Sequence, residues 1–164
     1  MTNKSLAPAE LGHSFERRVR DAFEKNSFLF LQKNQWKKNY APELDSASKR
    51  EYDLVMFNLA DKRFYIIECK AHYSADAFVG LSEVKEFVNK LSNYNGRPVG
   101  KAIVSDTDFT SSALGYAQNH DIHAVNGRQL KMMEKNKAGL VRGIVAKAVF
   151  SCLEGLVDRL IKSY

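Results

Sequence analysis

The chain has 164 residues, 45% of them hydrophobic and 27% charged, with only three prolines, which describes one foldable domain and excludes a disordered or fibrous chain. Its net charge of +6 favours a polyanionic partner without naming one. No apolar run approaches the roughly 18 residues a membrane span needs, so no membrane association is expected.

Met1 to Glu10 lacks the basic start and apolar core of a secretory signal, which predicts an intracellular, cytoplasmic protein. A first helix is expected from about Pro8 to Phe30. Proline suits a first helical turn, and Leu11, Phe15, Val19, Ala22 and Phe23 recur on one face, with Glu16 beside it. Between Gln32 and Arg50, Trp36 and Tyr40 mark a short strand and Pro42 to Ser48 a loop.

From Glu51 onward two short apolar runs, Glu51–Asn58 and Arg63–Ala71, flank a turn and predict a hairpin. The second run is apolar on both faces, as in a central strand covered on both sides. A helix from about Ala77 to Leu91 is expected to bury Phe78, Leu81, Val84, Phe87, Val88 and Leu91. A loop carrying Asn95-Gly96 and Pro98 follows, then a strand over Val99–Val104. Thr110 caps a helix through Asn119 with Ala113, Leu114 and Ala117 inward. Ile122–Val125 is a further strand, and a short helix after Asn126-Gly127 carries Leu130, Met132 and Met133. The order is that of a layered α/β domain. From Ala138 to Tyr164, apolar pairs recur at 140/141, 144/145, 148/149, 152/153, 156/157 and 160/161, predicting a long helix that needs a partner surface.

Cys69 and Cys152 match no metal-binding or redox spacing and are expected as reduced, buried thiols. His13, His120 and His123 show no metal-ligand arrangement. Chemistry concentrates instead on the second hairpin strand. Strand alternation puts Glu68 and Lys70 on one face, where an apolar central strand ends. Asp53, on the preceding strand, is folded back into reach by the turn. A Glu-x-Lys tripeptide is also a common plain ion pair. Two neighbouring carboxylates, however, call for a cation between them. Mg²⁺, which keeps several waters, suits Asp53, Glu68 and a backbone carbonyl. It would polarise a phosphoryl oxygen and activate water, with Lys70 holding that water or stabilising the developing charge.

These stretches resemble the PD-(D/E)xK nuclease superfamily, and more narrowly the Mrr-like restriction endonuclease catalytic domain. Leu11-Gly12-His13-Ser14-Phe15-Glu16 resembles its opening helix, Glu51-Tyr52-Asp53-Leu54-Val55 its metal strand and Ile66-Ile67-Glu68-Cys69-Lys70 its catalytic strand. Downstream, Val104-Ser105, Phe109 to Ala113, Ala117, Ile122 and Asn126 to Leu130 resemble its closing strand–helix–strand–helix unit. Two positions depart from the pattern: Tyr52 stands where the superfamily name implies proline, and Glu68 where Mrr proteins often carry glutamine. The resemblance covers about residues 9 to 133. It implies a restriction-endonuclease-like α/β fold, a central mixed β-sheet flanked by helices, to which the long C-terminal helix is an addition. The expected division is a nuclease core over 1–133 and an amphipathic packing or oligomerisation helix over 138–164.

By position, the resemblance implies metal coordination by Asp53 and Glu68, a further ligand in the Cys69 carbonyl, a catalytic role for Lys70 and a supporting acidic role for Glu16, also a candidate metal ligand. Solvent exposure beside Arg20 is the alternative for Glu16. Candidate phosphate contacts are Lys49 and Arg50, just before the strand of Asp53, together with Arg17, Lys37, Lys38, Lys85 and His72. Each also fits a solvated surface charge. Phe28, Phe30, Trp36 and Tyr40 fit either base stacking or packing.

The expected activity is Mg²⁺- or Mn²⁺-dependent hydrolysis of DNA phosphodiesters by water. The alternatives are a structure-selective, junction-resolvase-like nuclease and a nucleic-acid-binding or assembly module acting through the C-terminal helix. RNA is not excluded as substrate. That helix is the expected homodimer contact, and target choice is expected to come from the core, from dimer geometry or from a separate recognition protein.

Overall fold

In the computed structural model the described residues are 8–30, 52–72, 74, 76–92, 94 and 99–136. Trp36, Tyr40, the loop over 42–48, the Asn95-Gly96-Pro98 turn, Cys152 and the helix expected over 138–164 lie outside them.

The first element among the described residues is α1 (Pro8–Glu24), which buries Phe15, Val19, Ala22 and Phe23. It ends six residues earlier than the apolar pattern predicts, since 30 − 24 = 6. The Asn26 side chain donates to the Ala22 carbonyl (2.7 Å) and to that of Met133 (3.0 Å). Ser27 then takes a left-handed φ of 71°, which stops the helix and turns the chain into β1 (Phe28–Phe30). That segment is a strand and not a helix end, because it pairs antiparallel with the next strand, Phe30 opposite Met56.

The hairpin forms as expected from β2 (Leu54–Asn58) and β3 (Arg63–Lys70), antiparallel with Leu54 opposite Ile67. Its turn is held by two side chains. Asn58 Oδ1 accepts from Ala60 N–H (2.9 Å) and Asp61 Oδ1 from Arg63 N–H (3.0 Å), the local bonding that makes these residues turn formers. The short β4 (Phe78–Val79) precedes α2 (Leu81–Leu91). Here the helix expected from Ala77 is corrected. Gly80 is extended, the Glu83 carboxylate accepts from its N–H (2.8 Å), and the helix begins only at Leu81. Strand alternation then turns Val79 inward and leaves Phe78 57% exposed.

Next come β5 (Gly100–Ser105), β6 (Asp108–Phe109), α3 (Ser111–Asn119), β7 (Ile122–Val125) and α4 (Gly127–Glu134). The Thr110 hydroxyl caps α3 by accepting from Ala113 N–H (3.3 Å). Leu114, expected inward, is 46% exposed, because the face of α3 that packs is the Ala113/Ala117 side, shared with α2. Asn126 and Gln129 cap α4 reciprocally, each side chain accepting the other's backbone N–H at 2.9 Å.

The main sheet has five strands in the order β1-β2-β3-β5-β7, and β4 and β6 form a separate parallel pair. β3 is central, antiparallel to β2 and parallel to β5, so the sheet is mixed. Two apolar layers cover it. On one face Phe64, Ile66, Val55 and Ile103 pack with Val84 and Phe87 of α2 and with Ala113 and Ala117 of α3. On the other, Ile67, Leu54, Met56, Ala102 and Val104 pack with α1 and with Leu130 of α4. Cover on both sides explains the unbroken apolar run of β3. No helix among the described residues is long and apolar enough to cross a membrane.

Candidate active site

The alternation of β3 sends Phe64 and Ile66 to the layer of α2 and α3, and continues with Glu68 and Lys70 on that same face. Glu68 pairs in register with Ile103 and Lys70 with Ser105, so both stand at the end of β3 where β5 also finishes. In a parallel arrangement this is the edge that commonly carries ligand sites. Glu68 is 6% exposed. A buried carboxylate needs compensation, and it has two cations: Lys70 Nζ lies 3.2 Å from Oε1, and Lys90 Nζ donates to Oε2 at 2.7 Å.

Asp53 sits in the bend just before β2 and not within the strand. Its Oδ2 accepts the backbone N–H of Cys69 at 2.7 Å, which pins the carboxylate beside the end of β3. In an extended strand the N–H and C=O of one residue face the same edge, so the Cys69 carbonyl is turned toward Asp53. Burial, then the charge of Glu68 and at longer range that of Glu16, push the Asp53 carboxyl above its usual range, against the pull of the Cys69 N–H and Lys90. The Cys69 thiol, on the opposite face of the strand, is pushed well up by burial first and by the carboxylates second. It is a free thiol held in its neutral form.

Asp53, Glu68 and Lys70 are thus brought together. Glu16 approaches from α1 in the opposite layer, close enough to be felt by Asp53 and Cys69, and its Oε2 lies 3.7 Å from His13 Nδ1. Arg17 is exposed on α1, and Lys85 is exposed on α2 with its ammonium 5.7 Å from the Tyr116 ring centroid. Lys37, Lys38, Lys49 and Arg50 lie outside the described residues.

His72 is not a solvated surface histidine. Its Nε2 is 3.4 Å from Glu83 Oε1, its Nδ1 3.3 Å from Thr107 Oγ1 and 3.7 Å from Asp106 Oδ1, and its N–H donates to that same Asp106 oxygen at 3.1 Å. It joins the ends of β3 and β5 to the start of α2.

Lys90 is the residue that sequence reasoning missed. It lies two helical turns beyond Glu83, on the same side of α2. Because α2 crosses back along β3, Glu83 meets His72 while Lys90 meets Glu68. The signal was present: two charges of opposite sign at that spacing flank Phe87, the buried anchor of the helix.

The family model described as restriction endonuclease, the Mrr catalytic domain, matches residues 9–133. The chain belongs to the restriction endonuclease family. The match spans α1 to α4 and contains every residue of the acidic site. No curated protein is significantly similar to the chain. Among solved structures, it resembles a protein of unknown function, AF1548, with TM-score 0.50 and 21% identity over 71% of this chain and 58% of that one. It also resembles the DNA modification-dependent restriction endonuclease AspBHI, with TM-score 0.39 and 10% identity over 85% of this chain and 40% of AspBHI. The likeness to AF1548 bears on the fold, which is restriction-endonuclease-like as the family match requires.

Proposed function

We propose that the chain is a divalent-metal-dependent nuclease that hydrolyses phosphodiester bonds in DNA, with Asp53, Glu68 and Lys70 at its centre. Family membership supports the reaction class. The observation that carries the assignment is the pairing of two carboxylates, Asp53 raised by burial and by the neighbouring Glu68 charge, at the end of a central strand beside Lys70.

The donor chemistry fits Mg²⁺ or Mn²⁺. Hard oxygen ligands are present, the Asp53 carboxylate carries an electrostatic penalty that a cation would relieve, and the Cys69 carbonyl faces the same edge. Among the described residues no group of three or more His, Cys, Asp or Glu side chains is gathered to hold a metal ion. An ion held by Asp53 and Glu68 would take its remaining positions from water and substrate oxygens, the habit of Mg²⁺ in phosphoryl-transfer sites. When bound, such an ion supplies Lewis acidity toward the phosphoryl oxygen and a lowered pKa for its water.

The chain's own residues do the rest. Asp53 is fixed by the Cys69 N–H, and Glu68 is held at the same strand end by two ammonium groups. Lys70 has three N–H donors, and its contact with Glu68 leaves others to orient the attacking water or meet charge developing on the phosphate. Arg17 and Lys85, both exposed, are available to the DNA backbone.

Incubating plasmid and linear DNA with Mg²⁺ or Mn²⁺ tests this. Cleavage by the wild type that Asp53→Ala abolishes is the expected result, and equal cleavage by both proteins would overturn it.

A further inference from the structure

Both oxygens of the Glu68 carboxylate are taken by ammonium groups. Lys70 meets one oxygen at 3.2 Å and Lys90 the other at 2.7 Å, while the Glu68 side chain is 8% exposed. The two lysines are held differently. Lys70 is part of β3, two positions from Glu68 on the same face. Lys90 reaches across from α2, and its ammonium stands 6.0 Å from the Tyr52 ring centroid. A divalent ion on Asp53 and Glu68 would be set beside both ammonium groups, and like charges at such separations repel strongly where water is scarce. A lysine ammonium is a compact charge on a flexible four-carbon stem, and with Lys70 assigned to the reaction under that reading, Lys90 is the one left to give way.

We infer that Lys90 is the built-in counter-ion of Glu68 and competes with the divalent metal for that carboxylate, so that it sets metal affinity. Lys90 is a positioning residue, and the inference rests on the metal-site reading above. In the metal-free protein it holds Glu68 in place of a metal ion. Metal binding must break the Lys90 contact, and its cost is subtracted from the affinity.

The test is calorimetric titration of Mn²⁺ into the full chain without DNA, for wild type, Lys90→Met, Lys90→Arg and Asp53→Ala. An opposite charge in contact changes the affinity of a carboxylate for a competing cation by about ten-fold or more, so Lys90→Met is expected to bind Mn²⁺ about ten-fold tighter. Lys90→Arg, which keeps the charge, should stay near wild type. Thermal unfolding separates competition from a merely structural role. Lys90→Met should melt lower than wild type without metal and show the larger Mn²⁺-induced rise, whereas a structural lysine would lower both curves alike. Should Lys90→Met fail to fold, Lys90→Gln, which keeps a donor to Glu68 but no charge, is read by the same titration. Wild-type binding that Asp53→Ala abolishes, with unchanged or weaker affinity in the Lys90 charge-removal variant, would overturn this inference alone. Absence of binding in every protein would overturn it together with the metal site.

Discussion

The backbone N–H of Cys69 donates to Oδ2 of Asp53 across 2.7 Å. This bond continues the hairpin pairing beyond the last ladder partners, Leu54 and Ile67, by replacing a main-chain acceptor with a carboxylate. It places a charge where the sheet would otherwise end in an orphan N–H, and turns the neighbouring carbonyl to the same side. Asp53 is thus held as an extension of strand pairing.

Asp53→Asn should stabilise the metal-free protein at neutral pH while removing activity. The folded-state pKa of Asp53 is raised, mainly by burial and then by Glu68. The native state thus holds its proton to higher pH than the unfolded chain does, and stability falls as pH rises from the ordinary carboxylate value through the raised one. Above that window the ionised group costs stability in full, and below the ordinary carboxylate value the cost is absent. Thermal melts at pH 7 should therefore show Asp53→Asn above wild type, with the difference closing in acid. Cleavage should fall by about a hundred-fold or more, in line with the several kcal/mol that a bound metal contributes.

Lys70→Met should slow cleavage by roughly 10²–10³-fold, the scale of losing one preorganised donor to developing charge. DNA binding measured in Ca²⁺ should change little. Loss of binding equal to the loss of rate would show that Lys70 grips the ground state instead.

Arg18 and Glu134 join α1 to α4 through a two-pronged contact of 2.5 and 3.2 Å. The hydrogen bond from Arg18 holds the Glu134 carboxyl below its usual range. Its stabilisation is present above the ordinary carboxylate pKa and is lost as pH falls through the depressed value. Both side chains are partly solvated, so Glu134→Gln should cost no more than about 1 kcal/mol at pH 7 in urea unfolding. The two proteins should converge in acid.

Gly127→Ala should destabilise the fold by about 1–3 kcal/mol, the cost of overpacking. A Cβ at Gly127 would run into the backbone carbonyl of Asp106, which no rotamer change can move aside. Because Asp106 also accepts the His72 N–H, the shift should reach the end of β3. The expected readout is a lower midpoint in urea at unchanged slope.

What the sequence by itself determined is what depends on local pattern. The alternation along β3 committed Glu68 and Lys70 to one face and Cys69 to the other. The turn between the two apolar runs and the helix starts at Thr110 and after Asn126 rest on side-chain bonds to residues only two or three positions away. Such signals survive without tertiary context because both partners lie in one short stretch. The end of α1 did not have that property. Phe28 and Phe30 continue an apolar helical spacing, and only pairing with β2, with Asn26 bridging to Met133, makes them a strand. The outward turn of Phe78 and of Leu114 follows from which neighbour covers each element, and periodicity is silent about that. The same limit hid Lys90 and the His72 network. Their partners come from α2, β5 and the turn after it, whose approach to β3 is decided by the packing of Val84 and Phe87 and not by anything near Glu68 or His72 in the chain. The acidic pair was legible because one hairpin carries both members. Its cationic environment was not, because half of it arrives from a helix placed by the core.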